Sequence, residues 1–235
     1  MHNEHSITTR SLSMRYSPSS STPQYFALSA YASRIVLAVI ALSMGLVTAP
    51  TTHAAGDAIA NAINAVGEFT VFRTDGIQEQ LEGKGSLPLY EGDTVKTGTG
   101  SQGLLEFSNG IQVALNEDTQ FVILSRWEES KGFTRILRLS AGEVWVKTMG
   151  GPKPLEIETP VATAAVKQTE FDIKVQPDGQ TTLTVVEGIV EFGTAFGTCP
   201  IRTSTISYGN RGKNCAKPAP VDVAPNVAWA QGIRQ

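Results

Sequence analysis

The residues able to do chemistry in this chain are few. Three carboxylate pairs stand out: Glu117 with Asp118, Glu128 with Glu129, and Glu156 with Glu158. A glycosidase needs two carboxyls facing each other across a cleft. Neighbours on a turn point apart, and Glu156 and Glu158 share one face of an alternating strand, read as its solvent face. The three histidines, His2, His5 and His53, all lie in the first 54 residues. Behind a cleavage site there, no imidazole remains. That excludes Ser-His-Asp and Cys-His nucleophiles and metals held by histidine. No Ser-x-x-Lys follows that point, and the chain has no Gly-x-Ser-x-Gly and no phosphate-binding glycine loop. The expectation is a protein that is not an enzyme, with no catalytic, cofactor or metal residues.

Two cysteines remain, Cys199 and Cys215. In an oxidising compartment an even pair is expected to close a disulfide loop. Half of a metal site is the rival, and it lacks a third Cys or His partner.

The elements that would position these residues begin after an export signal. Arg34 precedes the apolar run at 35–42, which continues in weaker form to Val47, and Thr52-His53-Ala54 supplies small residues before a cut near Ala54 or Ala55. Residues 1–55 are therefore read as a signal peptide, with Met14-Arg15 as a candidate true start. The alternative is an inner-membrane anchor over residues 35–50, although the strongly apolar run is shorter than a bilayer span. The first 54 residues hold three Arg and one Glu, so the remainder carries 16 basic and 21 acidic residues and a formal charge of −5. That balance offers no footprint for nucleic acid.

Hydrophobic alternation then dominates. Phe171, Ile173 and Val175 alternate with Asp172 and Lys174, and Pro177-Asp178-Gly179 turns the chain into Leu183 and Val185. Asn109-Gly110 separates two apolar runs, the strongest short-range hairpin signal. Twelve or thirteen short strands are expected, no helix of ten or more residues, and turns at Gly92-Asp93, Ala141-Gly142 and Glu187-Gly188. Residues 56–66 read as a frayed leader or a single helical turn. The domain proper is expected over 67–192. Residues 193–235 form a looser extension holding the cysteine loop, with Trp229 packing back on the body. The 22 Gly and 12 Pro, spread along the chain, fit an all-β fold of stacked short hairpins, solenoid-like or sandwich-like.

Five segments in order carry a resemblance to the FecR family, named for the ferric-citrate uptake regulator. They are 89–98 (LYEGDTVKTG), 104–115 (LLEFSNGIQVAL), 137–144 (LRLSAGEV), 157–171 (IETPVATAAVKQTEF) and 184–190 (TVVEGIV). The motif positions are Gly92, Asp93, Thr97, Gly98, Asn109, Gly110, Gly142, Thr159, Pro160, Thr169, Phe171, Glu187 and Gly188, all read as scaffold. The resemblance implies a periplasmic all-β domain that, in the regulators, relays a signal from an outer-membrane receptor to a cytoplasmic sigma factor. Two departures stand out: only a short polar segment precedes the apolar run, where the regulators carry a helical domain, and Gln168 replaces the usual Gly before Thr-x-Phe. The expectation is a stand-alone exported FecR domain, a binding or relay module for an envelope protein or glycan, using sheet edges or loop tips. Its membrane contact would be limited to the signal peptide. The rivals are a membrane-anchored regulator, a structural envelope protein and a carboxylate hydrolase.

Overall fold

Short alternating runs separated by turn residues cannot bury an apolar face alone; they must pair and then stack. The computed structural model describes residues 57–129, 132–149 and 154–234, so the signal, start-site and anchor readings fall on residues outside it. The strands are β1 (Ala60–Val66), β2 (Phe69–Phe72), β3 (Gln78–Gln80), β4 (Gly83–Leu89), β5 (Thr94–Thr97) and β6 (Gln102–Phe107). They continue as β7 (Ile111–Leu115), β8 (Gln120–Glu128), β9 (Gly132–Thr148), β10 (Leu155–Glu158), β11 (Thr163–Val166) and β12 (Glu170–Val175). The last are β13 (Thr181–Glu187), β14 (Ile189–Thr194), β15 (Gly197–Arg202), β16 (Thr205–Gly209) and β17 (Ala219–Pro220), followed by the helix α1 (Val223–Ile233).

These strands make two ladders. The first runs β4-β1-β6-β7-β9-β12-β13-β16-β17. The second runs β3-β2-β5-β8-β9-β10-β11-β14-β15. Every neighbouring pair is antiparallel except β9 with β10. Phe69, Val71 and Phe121 of the second sheet share one core with Leu105, Val113 and Ile173 of the first. The fold is all-β and sandwich-like, as the alternation demands.

The 17 residues of β9 belong to both sheets. Its first part pairs with β8 and β10, and the part from Gly142 onward pairs with β7 and β12. The expected turn at Ala141-Gly142 is instead a crossing of one continuous strand between sheets. A register shift against β8 marks the spot, where Phe121 opposes Leu139 and Gln120 opposes Ala141. Bulges of this kind let a strand bend from one layer to the next.

Three further expectations are corrected. The Ala-rich leader is strand β1, wedged between β4 and β6, with Ala60, Ala62 and Ala65 buried. Small side chains fit that crowded position despite their low strand propensity. Seventeen strands, rather than twelve or thirteen, lie in the described residues, and the segment after Phe192 continues both sheets through β15, β16 and β17. The chain also has an 11-residue helix, α1, where none of that length was expected. Asp222 caps it by accepting from the Ala224 amide, and Pro225 sits in the first turn, where its missing N–H costs nothing. Among the described residues no helix is long and apolar enough to cross a membrane.

Each ladder ends on a guarded edge. β3 has three residues and β17 two, β4 carries Pro88, and β15 carries Pro200. Short or proline-bearing edges resist pairing with another chain. Cys199 and Cys215 form the expected disulfide, with Cα atoms 6.2 Å apart. Closing a loop of this size contributes about 3 kcal/mol on the chain-entropy model.

Candidate functional site

The motif residues lie at turns and strand ends spread over the sandwich. Asp93 is buried and accepts from the Tyr90 amide at 2.7 Å and from Arg73, tying the Gly92-Asp93 turn to β2 and its following residue. Thr97 donates to the Asn116 carbonyl at 2.6 Å and accepts from the Thr119 amide at 3.0 Å. Gly98 accepts from the Ser101 and Asp118 amides. Asn109 Oδ1 accepts from the Ile111 amide, and the Gly110 amide donates to Phe107, closing the β6–β7 hairpin. Thr159 bonds both backbone groups of Ala162 and the Thr181 hydroxyl, while Pro160 stays exposed beside it.

Thr169 and Phe171 are buried, and Glu187 is exposed next to Gly188. Gly188 has φ +92°, and a Cβ there would lie 2.6 Å from the Gln168 carbonyl. Gln168 itself is exposed, and it is not among the positive-φ residues, so this turn accepts a side chain at that position. The close approach of backbone is met at Gly188 instead.

The three carboxylate pairs read from the sequence do not form a reactive centre. Glu117 and Asp118 bond the Gly100 amide and the Thr99 hydroxyl on an exposed turn. Glu156 and Glu158 are half-buried rather than solvent-facing, and Arg126 joins both of them and Glu128 on the surface of the second sheet. Glu129 is exposed beside them. Among the described residues no group of three or more His, Cys, Asp or Glu could hold a metal ion.

A different carboxylate pair does come together, Asp172 on β12 with Glu143 on β9. Period-2 reading turns Asp172 away from the core between the sheets, as observed. That outer face, however, is covered by α1, whose Val227, Ala230 and Ile233 pack on Leu104, Ala114 and Trp145. Trp229 reaches back, as expected, and its Nε1 donates to Asp172 Oδ2 at 3.2 Å. Burial pushes the Asp172 carboxyl well above its ordinary value, and the charge of Glu143 pushes it further the same way; Trp229 and Lys174 pull against them. Glu143 in turn accepts from Asn116 Nδ2 at 2.7 Å and from Lys174 Nζ at 3.3 Å. Burial and the neighbouring Glu143 charge thus both favour the protonated form of Asp172.

Alongside this pair, Glu170 accepts from Trp145 Nε1 and from Lys147, and Arg234 of the helix end lies 4.0 Å over the Trp145 ring. A close carboxylate pair of this kind resembles catalytic dyads in chemistry. Here it is only 4% exposed at Asp172 and roofed by a helix, so it serves as a clasp. The sequence signal was the i, i+3, i+6 spacing of Val227, Ala230 and Ile233 with Trp229 beside it.

At the opposite extreme of exposure stands the β8–β9 hairpin. Trp127 and Phe133 oppose each other in register near its tip, with ring centroids 6.2 Å apart. They are 68% and 56% exposed. Arg135 lies 5.9 Å from the Phe133 ring and donates to the Ser125 hydroxyl at 2.6 Å, while Arg126 is held by its carboxylates. Exposed aromatic side chains of this kind, Trp above all, are enriched among the residues that anchor protein interfaces.

Residues 93–191 match the family described as FecR protein. Two crystal structures of a protein described as "a putative anti-sigma factor from Parabacteroides distasonis ATCC 8503" share the fold, each at 21% identity and a TM-score of 0.50. The matches cover 59% of this chain and 65% and 64% of those chains, so this chain spans just under two thirds of their length. No curated protein matches the sequence.

Proposed function

Residues 93–191 are a FecR domain, and from that premise we propose that the chain works without catalysis, as an exported binding or signal-relay module of the cell envelope that meets a partner protein through the tip of its β8–β9 hairpin. Export accords with the apolar run at 35–47 and with a disulfide, which persists in oxidising compartments. Relay is what the family resemblance implies, and the solved structures described as a "putative anti-sigma factor" share the fold. The observation that carries the choice of surface is the Trp127–Phe133 pair. Strand addition at a sheet edge is the less favourable route, because all four edges are very short or interrupted by proline.

The test compares the tagged full chain with its Trp127→Ala/Phe133→Ala variant in pull-downs from envelope extract. Both aromatics are exposed, so the variant should melt within about 2 °C of wild type. A specifically retained envelope protein should drop at least about tenfold in the variant, the effect of losing an aromatic anchor. Undiminished recovery would remove the hairpin tip from the reading. Recovery of nothing above background by the wild-type chain would remove the binding module itself.

A further inference from the structure

A cleft of about 700 Å³ opens where residues 159–163, 193–196 and 210–213 meet. We propose that this cleft binds a carboxylate-bearing saccharide. The inference goes beyond the hairpin tip and rests on the envelope placement above only for where such a sugar would be met.

Arg211 and Lys213 are exposed and form no ion pair among the described residues, and none of the lining residues is acidic. In a chain whose residues 55–235 carry an acidic excess, this is a locally cationic recess. The flat guanidinium fork of Arg211 matches a carboxylate, and Lys213 adds a second charge two residues away.

The walls favour a sugar over a peptide. The Asn210 carboxamide oxygen accepts from Gln180 Nε2 at 2.9 Å, which leaves the Asn210 amide hydrogens to donate toward a ligand. Thr163 adds a hydroxyl with no bond to another described residue. Phe196, 60% exposed at the rim, offers a flat apolar face for the C–H side of a pyranose ring. An acidic peptide would want a strand edge to pair with or pockets for alternate side chains. The strand edge nearest this cleft, β15, carries Pro200 and the disulfide-bonded Cys199.

The cleft is also held in shape before any ligand arrives. The Cys199–Cys215 disulfide pins the 210–214 loop to β15, and Asn214 packs so closely on Gly197 that a Cβ there would meet it at 2.8 Å. Thr159 fastens the facing wall to Thr181 at 2.8 Å. Such preorganisation lowers the ordering cost of binding.

The experiment titrates the purified full chain calorimetrically with trigalacturonate, with a neutral galactose trisaccharide and with triglutamate. Trigalacturonate should bind, the neutral sugar at least about tenfold more weakly, and triglutamate more weakly than the acidic sugar. Arg211→Ala/Lys213→Ala should weaken the acidic sugar by about tenfold or more, and Phe196→Ala by several-fold, both with unchanged melting temperature. Binding by the Trp127→Ala/Phe133→Ala protein should equal wild type, which separates this proposal from the fate of the hairpin reading. No binding of trigalacturonate, binding untouched by the cleft substitutions, or equal or tighter binding of triglutamate would overturn it. The last result would reassign the cleft to acidic peptides.

Discussion

Gly142→Ala is expected to destabilise the sandwich by at least about 3 kcal/mol, lowering its melting temperature by roughly 6–12 °C for a domain of this size. Two costs combine at this residue. Its φ of +88° is a conformation that side-chain-bearing residues seldom adopt, and a Cβ there would stand 2.3 Å from the Thr119 Cα. The obstruction is backbone, so no rotamer change relieves it. Thr119 cannot withdraw either: its hydroxyl accepts from the Glu143 amide at 3.0 Å and donates to the Glu143 carbonyl at 3.1 Å, and its amide is bonded to Thr97. These bonds fix the point at which β9 leaves the second sheet and enters the first. Gly179→Ala is the control. That glycine has φ +84° with nothing within 4 Å, so it bears the backbone cost of about 1 kcal/mol without the collision. Thermal melts of the two variants isolate the close approach. A Gly142→Ala protein no less stable than Gly179→Ala would mean that the crossing tolerates a side chain.

This pair of glycines also marks where sequence reading succeeds and where it stops. Gly179 announces itself because its neighbours Pro177 and Asp178 are turn formers, and the turn closes locally through the Gly179 amide to Gln176. Asn109-Gly110 is legible for the same reason. Gly142 looks like another turn glycine, yet what dictates its conformation is Thr119, more than twenty residues away. Alanine-rich β1 is hidden likewise, since the crowding between β4 and β6 that favours small side chains exists only after folding. In α1, Pro225 and Gly232 depress the local helix signal, and the apolar stripe has meaning only against Leu104, Ala114 and Trp145. Functional geometry is affected most. The cleft draws on three loops far apart in sequence, so Arg211, Lys213 and Phe196 carry no shared spacing that could have grouped them. Thr159 and Pro160, scaffold residues by their motif, lie in its wall as well. Trp127 and Phe133 are six residues apart in sequence, and their pairing becomes apparent only with the β8–β9 ladder.

The helix clasp makes stability depend on pH in a direction that can be worked out. The folded state holds the Asp172 carboxyl well above its ordinary value of about 3.8, with burial as the main cause and Glu143 next. Above pH 4 the unfolded chain releases this proton while the folded chain keeps it, so the folded state binds more protons. Stability then falls as pH rises, until the folded carboxyl also ionises. Below pH 4 both states are protonated and Asp172 imposes no penalty. Ionisation in place would set two carboxylates side by side beneath α1, facing Trp229 from the helix, Lys174 from β12 and Asn116 across from Glu143. Asp172→Asn should remove this dependence. The amide oxygen can still accept from Trp229 Nε1, and the amide hydrogens can donate toward Glu143 as a protonated carboxyl would. The variant should be more stable than wild type at pH 8 by about 1 kcal/mol or more, as when a buried charge is replaced by a neutral isostere. The two proteins should converge near pH 4. Urea melts across pH 4–8, followed by tryptophan emission because Trp229 and Trp145 both sit at the clasp, give the comparison. A wild-type chain whose stability rises through this window relative to Asp172→Asn would show that Asp172 is ionised in the fold, and its reading as a neutral carboxyl beneath α1 would have to be abandoned.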